Sequence, residues 1–285
     1  MFTDSYVTPR RLETLVDVLR HMGSNTTRDS LYRVLQPEQV RDTDKPQVAT
    51  AVLSAAHELE LVEGTDRLNI LKSPLPTRDL VLEALDSHVL ARTDIEPYFA
   101  LFFSYLLARG DDGPLDRSGS VDDFNQRVPR HPTHPIAFNP TMHTGLRRWL
   151  RYAGLGWSDP KGVFQCCPYE RLLRTLPAIF DDAVRLSSET FMERMAAVCP
   201  ELDGGAIFAQ ANSDFDASGK VLTQGVANAL LDLHADAVLR LHATADSGGW
   251  SLERAEPSSD AKTLLAPRLD AIELIATTRS TKTES

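Results

Sequence analysis

Three times along this chain, an apolar stripe of helical period runs directly into a short stretch of alternating apolar and polar residues. "PQVATAVLSAAHELE" (46–60) carries Val48, Val52, Leu53, Ala56 and Leu59 on one stripe, and "LVEGTDRLNILK" follows with Gly64-Thr65-Asp66 at its centre. "PTMHTGLRRWLRYAG" (140–154) carries Met142, Leu146, Trp149 and Leu150, and "LGWSDPKGVFQCCP" follows with Ser158-Asp159-Pro160-Lys161-Gly162. "TQGVANALLDLHADA" (223–237) continues the stripe of Leu222 with Val226, Ala229, Leu230 and Leu233, and "VLRLHA", "TADSGG" and "WSLERA" follow. A 3.6-residue period predicts a helix, a two-residue period a strand, and Gly, Asp and Ser between strands a turn. Each stretch therefore reads as a helix feeding a two-stranded hairpin. Residue identities are not shared, so the repeat is one of architecture. The fold expected is mostly α with short β-hairpins.

That pattern argues against a serine-protease reading. Asp246-Ser247-Gly248-Gly249 looks like the nucleophile segment of chymotrypsin-like proteases, and "LSAAHE" (53–58) like their histidine segment. Such proteases are paired β-barrels, however, and His57 lies in a helical stripe. The chain has too few strand patterns for two barrels and no aspartate identifiable as the orienting third group. P-loop, nucleophile-elbow and H-E-x-x-H motifs are absent from the sequence. No catalytic residue, metal or cofactor is expected. His131, His134 and His143 with Cys166 and Cys167 lack zinc-site spacing and read as loop histidines and buried thiols. Tyr98, Phe99, Phe102, Phe103 and Tyr105 read as core.

Two helices, a third helix and a hairpin wing are the parts of a winged-helix (helix-turn-helix) domain, which the chain resembles over about residues 8–256. The first unit (1–75) fits best. "PRRLETLVDVLRHM" has Leu12, Leu15, Val16, Leu19 and Met22 on one stripe behind Thr8-Pro9, and "TTRDSLYRVL" has Leu31, Val34 and Leu35. Asp44 and Pro46 suit the start of the third helix. Residues 76–119 read as a helical connector. The second unit (120–182) is led by "IEPYFALFFSYLLAR" and "SVDDFNQRV", the third (183–256) by "SSETFMERMAAV" and "LDGGAIFAQA". Residues 257–285 read as a final amphipathic helix bearing Leu264, Leu265, Leu269, Ile272 and Ile275, with a disordered tail.

Winged-helix proteins commonly place the third helix in the DNA major groove, with the wing on the backbone or minor groove. The resemblance thus implies a duplex DNA partner. In the second unit Thr144, Arg147, Arg148 and Arg151 lie opposite the apolar arc, and Lys161 sits in the wing. Guanidinium groups bind phosphate or guanine edges bidentately. The first unit offers Arg28, Arg33, Arg41 and Lys45, with Gln47, Thr50 and Ser54 on the polar face of its third helix, where neutral side chains can read base edges. The third unit has no Lys or Arg in 223–236 but has Asp232 and Asp236, a face that repels phosphate; it is expected to dock protein partners of the same operon.

Charge distribution sharpens this contrast. The net charge is −10, and residues 187–285 alone, with 8 basic and 15 acidic side chains, carry −7 of it. Residues 124–176 hold eight Lys/Arg against Asp159 and Glu170. An acidic protein with one basic island can bind a polyanion locally. With three cysteines, no secretory-type apolar run after Met1 and no span of ~18 apolar residues, the expected location is the cytoplasm, without membrane contact.

The layout and the "LHATADSGGWSLE" segment also resemble the DpdG-type proteins that accompany bacterial 7-deazaguanine DNA modification and restriction clusters. That resemblance implies a part in restriction-modification and antiviral defence, and transfers no catalytic residue. The function expected is non-enzymatic DNA binding within a multi-protein bacterial system. The alternative is a winged-helix adaptor without DNA contact, as in kleisin-type subunits.

Overall fold

The computed structural model describes residues 5–23, 26–41, 45–70, 73–110, 117–128, 136–160, 162–215, 219–244, 248–252 and 268–275. The chain is mostly helical with small antiparallel sheets, and it divides into two compact units. Unit 1 is Met1–Phe102 with Leu115–Ala153; unit 2 is Phe103–Pro114 with Gly154–Ser285.

Unit 1 opens with α1 (Pro9–Met22), whose N-terminus is capped by Thr8 Oγ1 accepting from the Arg11 N–H. The short β1 (Thr26–Thr27) leads into α2 (Arg28–Leu35), where Thr27 and Ser30 form a reciprocal capping box. Leu31 of α2 is buried, but Val34, expected inside, is 53% exposed. Then come α3 (Gln47–Glu58), β2 (Val62–Glu63) and β3 (Arg67–Ile70), paired antiparallel in the order β1-β3-β2. Pro46 is the cap residue of α3 and supplies no side-chain hydrogen bond; Asp44 lies outside the described residues. Leu12, Leu15, Val16 and Leu19 of α1 pack with Ala49, Val52, Leu53 and Ala56 of α3 as one core. At Gly64, φ is +88° and an added Cβ would sit 2.1 Å from the Arg67 carbonyl oxygen, so the β2–β3 turn requires glycine.

The rest of unit 1 comprises α4 (Thr77–Leu85), a π-turn over Asp86–Leu90, the first half of α5 (Pro97–Ala108), α6 (Arg117–Arg127) and α7 (Pro140–Tyr152). The aromatic run of α5 is core, as its pattern predicts. Tyr98, Phe102, Phe124 and Phe138 stack with centroids 4.6–6.1 Å apart, and His143 joins Phe102 edge-on. α7 is fixed to the start of the chain by Trp149, whose Nε1–H donates to the Val7 carbonyl, and by Tyr152, whose hydroxyl donates to Glu13.

Unit 2 takes the second half of α5 and the hairpin β4 (Gly156–Ser158)–β5 (Phe164–Cys166). α8 (Tyr169–Phe180), β6 (Arg185–Ser187), α9 (Ser188–Val198), α10 (Ala206–Ala211), α11 (Gln224–Ala235), β7 (Leu239–Thr244), β8 (Trp250–Ser251) and β9 (Arg268–Leu274) follow. Two expectations are corrected here. The segment read as a final helix is, over its described part, strand β9. Its apolar residues suit either period, and pairing with β6 on one side and β7 on the other decides the matter. The partner of β7 is accordingly β9, not the nearby "WSLERA", of which only Trp250–Ser251 is a described strand, itself paired to β9. Ser247 and residues 276–285 lie outside the described residues.

The interior of unit 2 is unusually polar where α8, α9 and the 199–205 turn meet. Arg171 Nε donates to Glu201 Oε1 at 2.8 Å, with the two side chains 2% and 0% exposed. Asp203 accepts from the Thr223 N–H and hydroxyl at 2.7 and 2.8 Å, which anchors the start of α11.

Candidate nucleic-acid interface

Each expected helix-to-strand passage exists, and one backbone device makes all three; the first two continue as hairpins, while β7 pairs with the distant β9. The chain leaves α3, α7 and α11 through a residue of left-handed conformation two positions beyond the helix: Glu60 (φ 55°), Gly154 (φ 72°) and Ala237 (φ 54°). The strand begins two residues later in every case. Only one of the three is glycine; the other two adopt a conformation costing about 1–2 kcal/mol for an L-residue. Around Glu60 and Ala237 the same contacts recur. His57 and His234 each hydrogen-bond through Nδ1 to the carbonyl of the first strand residue, Val62 at 2.8 Å and Leu239 at 3.2 Å. The N–H groups of Leu61 and Val238 each reach back 2.9 Å to a helix carbonyl five residues earlier. His57 is thus on a helix, as the stripe around it predicts, and lies in its last turn.

On α3, Gln47, Thr50 and Ser54 are all exposed. Thr50 donates its hydroxyl to the Pro46 carbonyl at 2.9 Å, which leaves its acceptor lone pairs outward, and Ser54 makes a long contact to Glu58 at 3.5 Å. Arg28, Arg33 and Lys45 are exposed as well. Arg41 is half-buried, its Nε donating to the Gln36 carbonyl at 2.9 Å. Gln36, which no sequence pattern singled out, is buried and caps α3 by accepting from the Val48 and Ala49 N–H groups at 3.1 and 3.2 Å.

On α7, Thr144, Arg148 and Arg151 are exposed, with the Thr144 hydroxyl donating to the Pro140 carbonyl. Arg147 is half-buried and its Nε lies out of contact with solvent, so the outward row is Arg148 and Arg151 rather than three arginines. Arg78 of α4, also exposed, sits 6.0 Å from the ring centroid of Tyr152 at the end of α7, an addition the sequence did not signal. Lys161 lies outside the described residues.

The basic window of 124–176 is not one surface. Arg171 is buried in its pair with Glu201, Arg127 is paired with Asp123 at 3.0 Å, and Arg130 lies outside the described residues. Linear charge density ignores which side of the core each residue faces.

On α11, no residue from Gln224 through Leu231 is exposed. At Gly225 an added Cβ would meet Leu107 Cδ1 at 2.6 Å and the Cys166 carbonyl oxygen at 2.9 Å, so α5 and β5 lie directly against this helix. Asp232 and Asp236 are exposed; Asp236 accepts from the Tyr169 hydroxyl at 2.7 Å, and that contact raises the Tyr169 phenol to about 12. Burial pushes the Cys167 thiol up to about 11 and the Cys166 thiol up as well, so neither is a reactive thiolate at neutral pH. Among the described residues no cluster of His, Cys, Asp and Glu could hold a metal ion, and no helix is long and apolar enough to cross a membrane.

No curated protein and no solved structure matches this chain. Residues 2–247 match the family described as DpdG-like, which is most of the chain, and the chain belongs to that family.

Proposed function

We propose that the chain is a non-enzymatic DNA-binding component of the 7-deazaguanine DNA modification system to which its family points. It works there in the cytoplasm among other proteins of that system. Residues 8–70 act as a winged helix: α1, α2 and α3 are its three helices, α3 the reading helix and β2–β3 the wing. The observation that carries this reading is the outward face of α3. Gln47, Thr50 and Ser54 stand exposed on a helix whose opposite side is core, with the cations Arg28, Arg33 and Lys45 exposed in the same module. Neutral donors and acceptors suit base edges, and cations suit phosphate. α7 adds Arg148 and Arg151 as phosphate contacts.

A gel-shift titration with duplex DNA across ionic strength tests the proposal. Each phosphate contact contributes a slope near −0.9 in log affinity against log salt. Arg148→Ala with Arg151→Ala is expected to flatten the slope by about 1.8, a difference of roughly 12-fold between 50 and 200 mM salt. An unchanged slope removes α7 from the interface; absence of binding at low salt refutes the DNA reading. One observation favours a second reading, a protein-docking adaptor: α11 lacks Lys and Arg and exposes Asp232 and Asp236. Failure to bind DNA would leave that adaptor role standing.

A further inference from the structure

Residues 169–274 of unit 2 repeat the order of helices and strands of residues 9–70 of unit 1, with β8 added beside the last strand. In both, a helix leads to a strand that ends in a capping hydroxyl. Thr27 accepts from the Ser30 N–H, and Ser187 from the Thr190 N–H, each opening the next helix. A further helical segment follows (Glu38–Val40 in the first, α10 in the second), then the third helix, α3 or α11. The third helix ends on a histidine bonded to the strand carbonyl, and the exit residue is left-handed. The sheets have matching orders, β1-β3-β2 and β6-β9-β7, with the last strand in the centre. Aligning His57 with His234 aligns Gln47 with Gln224, both the first residue of their helices.

That alignment also shows where the copies part. Thr50 and Ser54, both exposed, correspond to Ala227 and Leu231, which are 0% and 6% exposed. The first two turns of α3 are open on the polar side; in the same turns of α11 Ala227 and Leu231 are buried and Gln224 and Asn228 half-buried. The covering is built in: α5 ends against the residue aligned with Gln47, because a Cβ added at Gly110 would meet Gln224 Oε1 at 3.1 Å and its Cβ at 3.3 Å. Reading helices touch base edges through their N-terminal residues, and on α11 none of those residues is exposed.

We infer that the two modules are copies of one unit with divided roles. The first reads DNA through Gln47, Thr50 and Ser54, and the second has surrendered its reading face to intramolecular packing. The chain therefore presents one base-reading helix of this module type. This rests on the DNA-binding reading above and assigns it to one copy.

The test places a photo-crosslinker on the full-length protein. Ser54→Cys, Asp232→Cys and Ala235→Cys are each labelled with a maleimide aryl azide. All three positions are exposed, while Cys167 and Cys199 are buried and Cys166 half-buried. Each labelled protein is irradiated with a mixed-sequence DNA duplex at low salt. Crosslinking from position 54 alone is the expected result. Crosslinking from 232 or 235 at least as efficient as from 54 overturns the inference and leaves DNA binding intact, as does a duplex shifted in the gel without crosslinking from 54. No shift at all overturns both readings together. As an independent check on the closed face, Ala227→Leu is expected to lower Tm by roughly 3–10 °C while the folded protein keeps its salt slope. A Tm unchanged from wild type would mean that the α11 face is open, and would overturn the inference.

Discussion

Removing the buried carboxylate of Glu201 is the sharpest test of how unit 2 is held together. Arg171 Nε donates to Glu201 Oε1 at 2.8 Å, and Arg171 Nη2 reaches the Val198 carbonyl at 3.4 Å. The Glu201 carbonyl also accepts from the Ser104 hydroxyl at 2.8 Å, and the Ser104 carbonyl from Asn212 Nδ2 at 3.0 Å. The 199–205 turn thus joins α5, α8 and α10 within unit 2. Both charged side chains are almost wholly out of water, so Glu201→Ala strands a guanidinium in a dry interior. Breaking a buried pair from one side costs about 3–5 kcal/mol, a fifth or more of the stability of a typical domain. With a urea m-value near 2 kcal/mol/M, the unfolding midpoint falls by about 1.5–2.5 M. Equilibrium urea unfolding read by circular dichroism measures the shift. A midpoint moved by less than about 0.5 M would show that Arg171 reaches water or another carboxylate, refuting the burial argument. Arg171→Met with Glu201→Leu is the control. It removes both charges at similar volume and is expected to cost under about 1 kcal/mol or to stabilise.

Other perturbations probe separate parts of the molecule. Gly64→Ala is expected to destabilise the first module by about 1–3 kcal/mol, because the position is left-handed and the new methyl meets the Arg67 carbonyl; faster amide exchange over 62–70 reports it. Glu273 is held below its ordinary carboxyl range chiefly by a hydrogen bond with His242, with Arg240 and Arg185 adding attraction. Its stabilising contribution is therefore complete above the unfolded value near pH 4.5 and is lost as pH falls through the lower folded value. Glu273→Gln should lower Tm at neutral pH and converge on wild type in strong acid; a constant difference across the acid range would refute the linkage. The three cysteines are expected to resist maleimide in the native protein at neutral pH and to label fully in denaturant, because burial holds the Cys166 and Cys167 thiols protonated and Cys199 is 0% exposed. Rapid native labelling of any of them would contradict that packing.

Local chemistry makes much of this architecture legible in the sequence. Thr8-Pro9 opens α1, the 3.6-residue stripes mark α3, α7 and α11, and Gly64-Thr65-Asp66 turns the first hairpin. Each signal acts within a few residues of its own position. The reading of 264–275 as a helix fails for the complementary reason. Its apolar spacing is ambiguous, and the deciding hydrogen bonds come from Arg185–Ser187 and Leu239–Thr244, far away in sequence. α8, the opening helix of the second module, carries its own apolar stripe of Leu172, Leu176 and Ile179, but no hairpin follows it to mark it as part of the repeat.

The candidate interface divides along the same line. Helical period alone placed Gln47, Thr50 and Ser54 on the polar side of α3, and Thr144, Arg148 and Arg151 on that of α7. Period could not tell that Arg171, counted in the same basic window, turns inward to Glu201, or that Arg147 is half-buried. Composition marked α11 as unfit for phosphate, but the stronger fact, that α5 and β5 lie against Gly225, required the packed chain. The amino-acid order by itself settled the helices α1, α3, α7 and α11 and the apolar side of each, since both follow from neighbours three or four residues apart. Which polar sides remain open to a partner was decided only by tertiary packing, because burial depends on what arrives from elsewhere in the chain.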